Sequence, residues 1–386
     1  MSTGQVRQAV MNRITTLDDF EKAYREGLGQ PLPPRPWREV TPEWLSRHAD
    51  GSGDYNPLFR DSSYAAAGRY HQLVGSPSFV FSIAFGANAS IWGHISERDV
   101  AMEDLSILYL GADIQWHAPV FVGDRVRAIE TPVDVTRMRT RQLGEALVCS
   151  GRTEYYDHRA QLLATITNRM LRFPNPGRGV ESSVSRDRPD RPRVAPDPLV
   201  WERTRRGAKP LFRDEARAGD ELPALPKGTY TTSELYLFSY GSLNTNRSRY
   251  VAEGSIDMGA GGRADPEYAR RSRSQATSFD YGPQRIAWLT QIVTDWMGDR
   301  GDLVSLSAQL RRPNLIGDTN TVVGRVVGVR PDSDQLVDVR VAVVNQDGAE
   351  TAIGTAVVRL PERHAIADPH ATLFSADKPT GAGLYG

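Results

Sequence analysis

The segment Ala49-Asp50-Gly51-Ser52-Gly53-Asp54-Tyr55-Asn56-Pro57-Leu58-Phe59-Arg60-Asp61 decides how the rest of this chain is interpreted. Gly-Asp and Asn-Pro pairs are typical of tight turns, because glycine and asparagine accept backbone conformations that other residues avoid and proline fixes φ. The segment therefore predicts a structured loop, which we call the signature loop (residues 49–61). A helix is predicted just before it, since Thr41 can cap a helix whose first residue is Pro42.

Further along the chain, parts of the same pattern return in the same order. The matching segments are Gly53–Asn56 with Leu243–Asn246, Gly75–Pro77 with Tyr281–Pro283, and Pro119–Asp124 with Pro313–Asp318. Members of each pair are separated by about half of the 386 residues. Three ordered matches favour a tandem repeat of one fold over coincidence.

Composition along the chain predicts where the two repeats begin and end. Residues 174–198 are rich in Pro, Arg, Asp and Ser and carry no apolar periodicity, which is typical of a linker. The predicted organisation is an N-terminal repeat (1–173), this linker, a C-terminal repeat (199–363) with an insertion at 255–275, and a tail (364–386).

Each repeat shows one apolar helix followed by alternating strand patterns. The segments after Pro77 and Pro283 are apolar at helical spacing, which suits helices buried on most sides. The predicted strands are 106–117, 126–135, 145–156, 161–173, 304–310, 321–329, 336–345 and 351–360. Long strands after one buried helix indicate an α+β fold in which an antiparallel sheet wraps a central helix. Two copies could pair their sheets within the chain.

The overall composition narrows the class of protein. Lys plus Arg and Asp plus Glu each number 47, so no net basic charge attracts nucleic acid or an anionic membrane. No apolar run reaches the roughly 18 residues of a membrane span, and the N-terminus lacks a signal-peptide pattern, so we expect a cytoplasmic protein. The single cysteine, Cys149, excludes an internal disulfide and is expected to be a buried strand residue. No metal cluster or dinucleotide-binding glycine pattern is visible, so we expect no cofactor.

The signature loop, with Ala65-Ala66-Ala67-Gly68 and Gly75-Ser76-Pro77 after it, resembles that of the MaoC-like hotdog hydratases and dehydratases, which include (R)-specific enoyl-CoA hydratases. That family's pattern is Gly-Asp-x-Asn-Pro-(aliphatic)-His-x-Asp, and this chain matches it except for Phe59 at the histidine position. Gly219–Pro223 also resembles the lead into the second repeat of double-hotdog members. The resemblance covers roughly residues 35–175 and 215–360 and implies a double hotdog fold.

The resemblance also implies a reaction. In the family an aspartate and a histidine flank the water that adds to, or leaves from, the β-carbon of an enoyl thioester. Hydration needs a base for the water and an acid for the α-carbon. Here Asp54 is the predicted base, and His71 is the best substitute for the missing histidine. In the second repeat the aspartate position holds Asn244, and the histidine position holds Arg249 or Val251, depending on loop length.

Substrate contacts are predicted from the same comparison. Backbone N–H groups at the start of the buried helix are well placed to stabilise an enolate-like thioester oxygen. The predicted substrate-binding residues are Asn56, Phe59, Gly75, Ser76, Asn246 and Gly282. Asp54 could instead be a simple turn residue, His71 a surface residue, and His117 a packed strand residue.

The remaining charged residues permit further interpretations. Arginines of the insertion could contact the phosphates of CoA or a carrier protein, although an exposed charged helix or loop is the more common outcome. These arginines are Arg263, Arg270, Arg271 and Arg273. His48 and His94 are expected at helix ends or on the surface.

We therefore predict a MaoC-like lyase that acts on an enoyl or β-hydroxyacyl thioester of CoA or a carrier protein. Hydration or dehydration is the main expectation, with isomerisation or cyclisation as related outcomes. The alternative is a catalytically inactive partner subunit that binds an acyl thioester, and thioesterase chemistry is a third option. A homodimer or pairing with a related hotdog protein is expected. An ionisable group beside Asp54 in the same cavity would favour the enzyme.

Overall fold

The computed structural model describes residues 12–84, 100–101, 105–141, 143–174, 191–195, 197, 199–243, 264–273, 275–330 and 336–363. Within them the helices are α1 (Leu17–Glu26), α2 (Pro42–Ser52), α3 (Ser62–Ala67), α4 (Val80–Ala84), α5 (Val200–Thr204), α6 (Thr232–Phe238), α7 (Pro266–Arg273) and α8 (Gly282–Met297). Short 3-10 turns cover Pro57–Phe59, Pro77–Phe79 and Arg213–Glu215. The predicted tail, His94, Asn246, most of the predicted linker and the first part of the predicted insertion (255–263) lie outside the described residues.

The strands form one large sheet and one small one. They are β1 (Asn12–Arg13), β2 (Arg38–Glu39), β3 (Val100–Ala101), β4 (Leu105–Trp116), β5 (Arg125–Thr140), β6 (Gly144–Asp157), β7 (Leu162–Pro174), β8 (Leu225–Thr229), β9 (Asp302–Leu310), β10 (Thr319–Val329), β11 (Leu336–Asn345) and β12 (Glu350–Arg359). The large sheet has ten strands in the order β2-β5-β6-β7-β4-β9-β12-β11-β10-β8. This order is symmetric about the β4–β9 pair, and the predicted α+β fold with paired sheets is confirmed.

Equivalent turns in the two halves make the same hydrogen bonds. The carboxylate of Asp124 accepts the backbone N–H of Phe121 at 2.9 Å. Its counterpart Asp318 accepts the backbone N–H of Leu315 at 2.8 Å. In each Pro-x-x-x-Gly-Asp segment the aspartate thus closes the turn that leads into a strand.

The junction between β4 and β9 requires an unusually close approach of backbone to backbone. Gly111 has φ of +135°, a conformation that L side chains rarely adopt. A Cβ at this position would overlap the carbonyl oxygen of Ala308 on β9. The residues of β4 from Gly111 to Gln115 pair in antiparallel register with Ser305–Gln309. Glycine at 111 therefore permits the two halves of the sheet to join.

Helix α8 is the central helix of the second half and is buried along its whole described length. Its apolar residues lie at the predicted helical spacing and contact β9, β10, β11 and β12. They join a continuous apolar core that also includes residues from α2, α4 and β4. Burial on all sides also encloses polar side chains of this helix, among them Arg285, Gln291 and Asp295.

A second apolar cluster lies outside the main core, where α1 packs on the extended β5–β6 hairpin. Phe20 and Tyr24 of α1 are fully buried there, together with Leu147 and Cys149. The Tyr24 hydroxyl donates to the carbonyl oxygen of Ser150 at 2.9 Å. The prediction that Cys149 is a buried strand residue is confirmed. The predicted end of β5 near residue 135 is too early, because its hairpin with β6 continues beneath α1.

We predict that Gly111→Ala lowers the free energy of unfolding by about 1–3 kcal/mol, because alanine would be strained at this φ and would strike Ala308. Urea denaturation followed by circular dichroism measures the change. Gly328→Ala is the matched control, since a Cβ there meets no atom within 4 Å, and it should stay within about 0.5 kcal/mol of wild type. Equal stability of the two variants would contradict this account of the junction.

Candidate active site

A cavity of about 370 Å³ lies between the signature loop and the C-terminal end of α8. The loop contributes Asn56, Leu58 and Phe59, and the start of the first buried helix contributes Gly75, Ser76 and Pro77. The end of β4 and the turn after it form another wall, residues 116–120. The second half supplies Thr294, Met297 and the segment from Gly298 into β9. Both halves of the chain are needed to enclose this space.

Local hydrogen bonds fix the signature loop. The hydroxyl of Thr41 accepts the backbone N–H of Trp44 at 3.1 Å and caps α2, as predicted. Gly53 ends that helix with φ of +66°, a left-handed conformation in which glycine is favoured. The Asn56 side chain then accepts the backbone N–H of Leu58 at 3.1 Å. These contacts hold residues 54–59 as a single turn.

Asp54 lies just behind the cavity wall and not on it. Its carboxylate accepts the backbone N–H of Asn56 at 3.2 Å, and the residue is 4% exposed. Burial raises the pKa of Asp54, while the hydrogen bond from Asn56 and the positive charges of Lys227, Arg205 and Arg60 oppose this rise. Since Asn56 lines the cavity, Asp54 is separated from it by one turn of the loop.

Lys227, on β8 of the second half, brings a buried positive charge to the same loop. Its ammonium donates to the carbonyl oxygen of Gly53 at 3.2 Å and also contacts the side-chain oxygen of Gln291. The ammonium lies 5.5 Å from the ring centroid of Trp288. Burial lowers the pKa of Lys227 to about 8, although the negative charges of Asp54 and other carboxylates act to raise it.

Asp295 of α8 completes a buried charged cluster, defined here as Asp54, Lys227 and Asp295. It is 2% exposed and accepts the hydroxyl of Thr204 at 3.4 Å. Burial, followed by the charge of Asp54, raises the pKa of Asp295 to about 8. Sequence reasoning missed Lys227 and Asp295. The available signal was a carboxylate at position 295, directly before the apolar residues Trp296 and Met297 of the predicted helix.

The predicted substrate-binding residues fall into three groups. Asn56, Phe59, Gly75 and Ser76 all line the cavity. Gly282 does not line it, because the position is packed so closely against Tyr109 and Leu310 that a Cβ would overlap both side chains. Asn246 lies outside the described residues.

The structure does not bring the predicted acid His71 to this cavity. His71 is exposed, with φ of +56°, and a ring nitrogen lies 3.4 Å from the carbonyl oxygen of Ala66. His117 instead lines the cavity, with Nε2 3.2 Å from the hydroxyl of Thr165. Partial burial lowers the pKa of His117 below its ordinary value.

Other ionisable side chains also reach the cavity wall, from both halves of the chain. They are Arg69, Tyr70, Asp299, Asp302 and Arg359. The Arg69 guanidinium donates to Asp302 at 2.5 Å, and the Tyr64 hydroxyl donates to Asp299 at 2.5 Å. These pairs connect the segment after the signature loop to the segment after α8. Asp54 is not among these cavity-lining groups, and the charges that act on it include Lys227 and Asp295 of the buried charged cluster.

The expectation that His48 lies at a helix end or on the surface was wrong. His48 is 1% exposed, because the face of α2 that carries it packs on the first buried helix. Its Nε2 lies 3.0 Å from the hydroxyl oxygen of Ser78, and its ring meets Phe79 edge-on at 5.5 Å between centroids. Burial lowers the pKa of His48 to about 3, so the ring is neutral at physiological pH.

Two further groups of charged residues lie outside the cavity, one of them in the predicted insertion. Asp124, Asp157 and His158 lie close enough to share a cation, a grouping that sequence reasoning did not see. Arg159 donates to both carboxylates, at 3.1 and 2.7 Å, and so already supplies a positive charge there. In the insertion, Arg270 is buried and paired with Glu267 and is not free for a phosphate. The side chains of the other three arginines lie outside the described part of the chain.

Comparison with solved structures identifies the architecture. A protein named MaoC-like dehydratase superposes with a TM-score of 0.66 over 88% of this chain and 100% of that chain, at 18% identity. A Mycobacterium tuberculosis protein described as having a double hotdog fold superposes with a TM-score of 0.56 over 88% of this chain and 98% of that chain, at 15% identity. Residues 34–166 match the family model for the FAS1-like dehydratase domain region. The chain therefore has a double hotdog fold, and part of its first half is similar to the FAS1-like dehydratase domain region.

Curated relatives of this double-hotdog protein match part of its length. A UPF0336 protein of Streptomyces coelicolor is 28% identical over 104 residues, 27% of this chain and 67% of the relative. A Thermomonospora curvata protein named "Probable enoyl-CoA hydratase alpha subunit" is 24% identical over 197 residues, 48% of this chain and 61% of the relative. The matches thus span about two thirds of those relatives or less. Among the described helices, none has the length and apolar character to cross a membrane.

We predict that the free energy of unfolding falls less steeply between pH 4.5 and 7.5 in Asp295→Asn than in the wild-type protein. Because burial raises the pKa of Asp295 to about 8, the folded state binds its proton more tightly than the unfolded chain does. Stability is therefore lost as pH rises from the unfolded pKa toward the folded one. The permanently neutral asparagine should remove that part of the loss.

Urea denaturation at a series of pH values measures this slope. Asp347→Asn, which removes an exposed carboxylate paired with Arg191, is the control for general loss of negative charge. If the free energy of unfolding changes with pH in Asp295→Asn as steeply as in the wild-type protein, the protonation assigned to Asp295 is wrong.

Proposed function

We propose that this protein binds an enoyl or β-hydroxyacyl thioester of CoA or a carrier protein in the cavity and catalyses its hydration or dehydration. The observation that carries the proposal is the composition of the cavity wall. The signature loop and the start of the first buried helix face the same space, and both belong to the region that matches the dehydratase family model. Isomerisation or ring closure on a related thioester would use the same groups.

Asp54 acts as the base in this proposal. Burial raises its pKa, which makes the carboxylate a stronger base than one in water, and the charge of Lys227 favours the ionised form. Asp54 sits behind Asn56, so a water held beside Asn56 would lie between the carboxylate and a substrate. In hydration Asp54 takes a proton from the water that adds to the β-carbon, while the acid protonates the α-carbon. In dehydration the same carboxyl returns that proton to the leaving β-hydroxyl, the α-proton passes to the second group, and the Cα–Cβ double bond forms.

We assign the acid role to His117 rather than to His71. His117 lines the cavity and His71 does not, although both were candidates from the sequence. In hydration the imidazolium of His117 would protonate the α-carbon, and in dehydration the neutral imidazole would remove the α-proton. His117 is exposed enough to exchange its proton with solvent. The role of the family's histidine would thus pass from the signature loop to the end of β4.

We predict that Asp54→Asn lowers kcat by on the order of 10²- to 10⁴-fold, because the amide cannot accept the proton. Hydration of crotonyl-CoA and of longer enoyl thioesters, and dehydration of (R)-3-hydroxyacyl-CoA, are followed by the absorbance of the conjugated thioester. Glu43→Gln, on the exposed side of α2, is the control for removal of a carboxylate from the helix that leads into the loop. Full activity in Asp54→Asn would remove Asp54 from the mechanism.

A second pair of variants tests the acid. His117→Gln should lower kcat by about 10²-fold, since general acid catalysis typically contributes that much or more. His71→Gln should retain the wild-type kcat, because this side chain lies outside the cavity. The same absorbance assay applies, and the opposite ranking of the two variants would restore His71 as the acid.

The alternative function is an inactive partner subunit that binds an acyl thioester for another hydratase. Two observations favour it: Phe59 is buried at the histidine position and lines the cavity, and Asp54 is not on the cavity wall. It predicts binding of crotonyl-CoA without turnover, and activity only after a related hotdog protein with an intact Asp/His pair is added. A homodimer in the cytoplasm remains part of the enzyme proposal.

A further inference from the structure

A chain of hydrogen-bonded side chains runs from the cavity into the protein interior. Ser76 lines the cavity, and its hydroxyl oxygen lies 3.2 Å from that of Ser78. The Ser78 hydroxyl in turn lies 3.0 Å from Nε2 of His48. All three residues are at least 95% buried. The signature loop residues are not part of this chain, and neither are the base and acid proposed above.

The direction of the hydrogen bonds follows from the other nitrogen of His48. Nδ1 is buried and has no hydrogen-bond partner among the described residues. A neutral imidazole carries one N–H, and a buried N–H without an acceptor is among the rarest features of folded proteins. The proton therefore belongs on Nε2, which donates to Ser78. The Ser78 hydroxyl then donates to Ser76, and the Ser76 hydroxyl is left to donate into the cavity.

We infer that the Ser76 hydroxyl donates a hydrogen bond to the thioester carbonyl oxygen of the bound substrate, and that Ser78 and His48 position it. This inference rests on the proposed thioester function and adds a side-chain donor to it. Ser76 touches the substrate, whereas Ser78 and His48 act through Ser76. No proton leaves the chain, because each hydroxyl keeps its own hydrogen.

The chemistry at the cavity requires such a donor. When a base removes the α-proton, negative charge moves onto the thioester oxygen, and a donor fixed in advance stabilises it without reorganisation. A serine hydroxyl in isolation can rotate between donating and accepting. The neutral His48, which burial keeps uncharged, removes that freedom by making Ser78 a donor toward Ser76. The buried His48 thus orients the Ser76 hydroxyl, through Ser78, before the substrate binds.

Infrared difference spectroscopy tests the contact directly. Crotonyl-CoA with a ¹³C-labelled carbonyl is bound to the Asp54→Asn protein, in which turnover is slow, with and without Ser76→Ala. A hydrogen bond lowers the carbonyl stretching frequency, so the shift on binding should be large with Ser76 and mostly lost with Ser76→Ala. In the otherwise wild-type enzyme, Ser76→Ala should lower kcat by about 10²- to 10³-fold with a much smaller change in KM.

Matched variants separate orientation from stability. Ser78→Ala should weaken the carbonyl shift less than Ser76→Ala does, and Ser76→Thr should restore it. Ser82→Ala, which removes another buried hydroxyl from the same helix, one that accepts the Trp44 N–H at 2.6 Å, should lower stability but leave the shift intact. In the free protein, ¹⁵N NMR should find the His48 proton on Nε2.

The possible failures are distinguishable. If the protein binds and turns over the thioester but Ser76→Ala does not change the carbonyl shift, this inference is wrong. The proposed function would be unaffected by that result. The His48 proton on Nδ1 would overturn the assigned direction in the same way. Failure of wild-type protein to bind any acyl-CoA or acyl-carrier thioester would contradict both.

Discussion

The antiparallel pairing of β4 with β9 is the contact on which the rest of the molecule depends. It converts two five-strand halves into one sheet of ten strands and fixes their relative position. With this register the signature loop and the C-terminal end of α8 line the same cavity. This pairing requires glycine at position 111, because no side chain fits between the two backbones there. A single glycine thus couples the fold of the sheet to the existence of the site.

Burying the charged cluster is unfavourable to the free energy of folding. Asp54, Lys227 and Asp295 come from a loop, a strand and a helix, and burial shifts the pKa of each toward its neutral form. Burial of like charges is unfavourable, so one of the two carboxylates takes up a proton near neutral pH and Lys227 offsets the other. Surrounding packing must supply the free energy that holds such a cluster. Perturbed groups of this kind concentrate where proteins carry out proton chemistry.

The sequence predicted the fold in detail because its signals were local and repeated. Strand alternation, the cap at Thr41 and the two Gly-Asp turns each depend on neighbouring residues, and each has a counterpart in the other half. The loop side of the cavity was predicted for the same reason. Lys227, Asp295 and the burial of His48 were not, since each depends on a contact between segments distant along the chain. Periodicity shows that a position is buried but not which polar group lies opposite.

The two halves do not contribute equally, and the packing at their helix starts explains the difference. Around Gly75 the helix start opens onto the cavity, whereas Gly282 is covered by Tyr109 and Leu310. A thioester oxygen could therefore approach the helix of the first half but not the start of α8. The second half instead supplies the far wall of the cavity through the end of α8. The first half is therefore the one in which the signature loop and a helix start meet the same cavity.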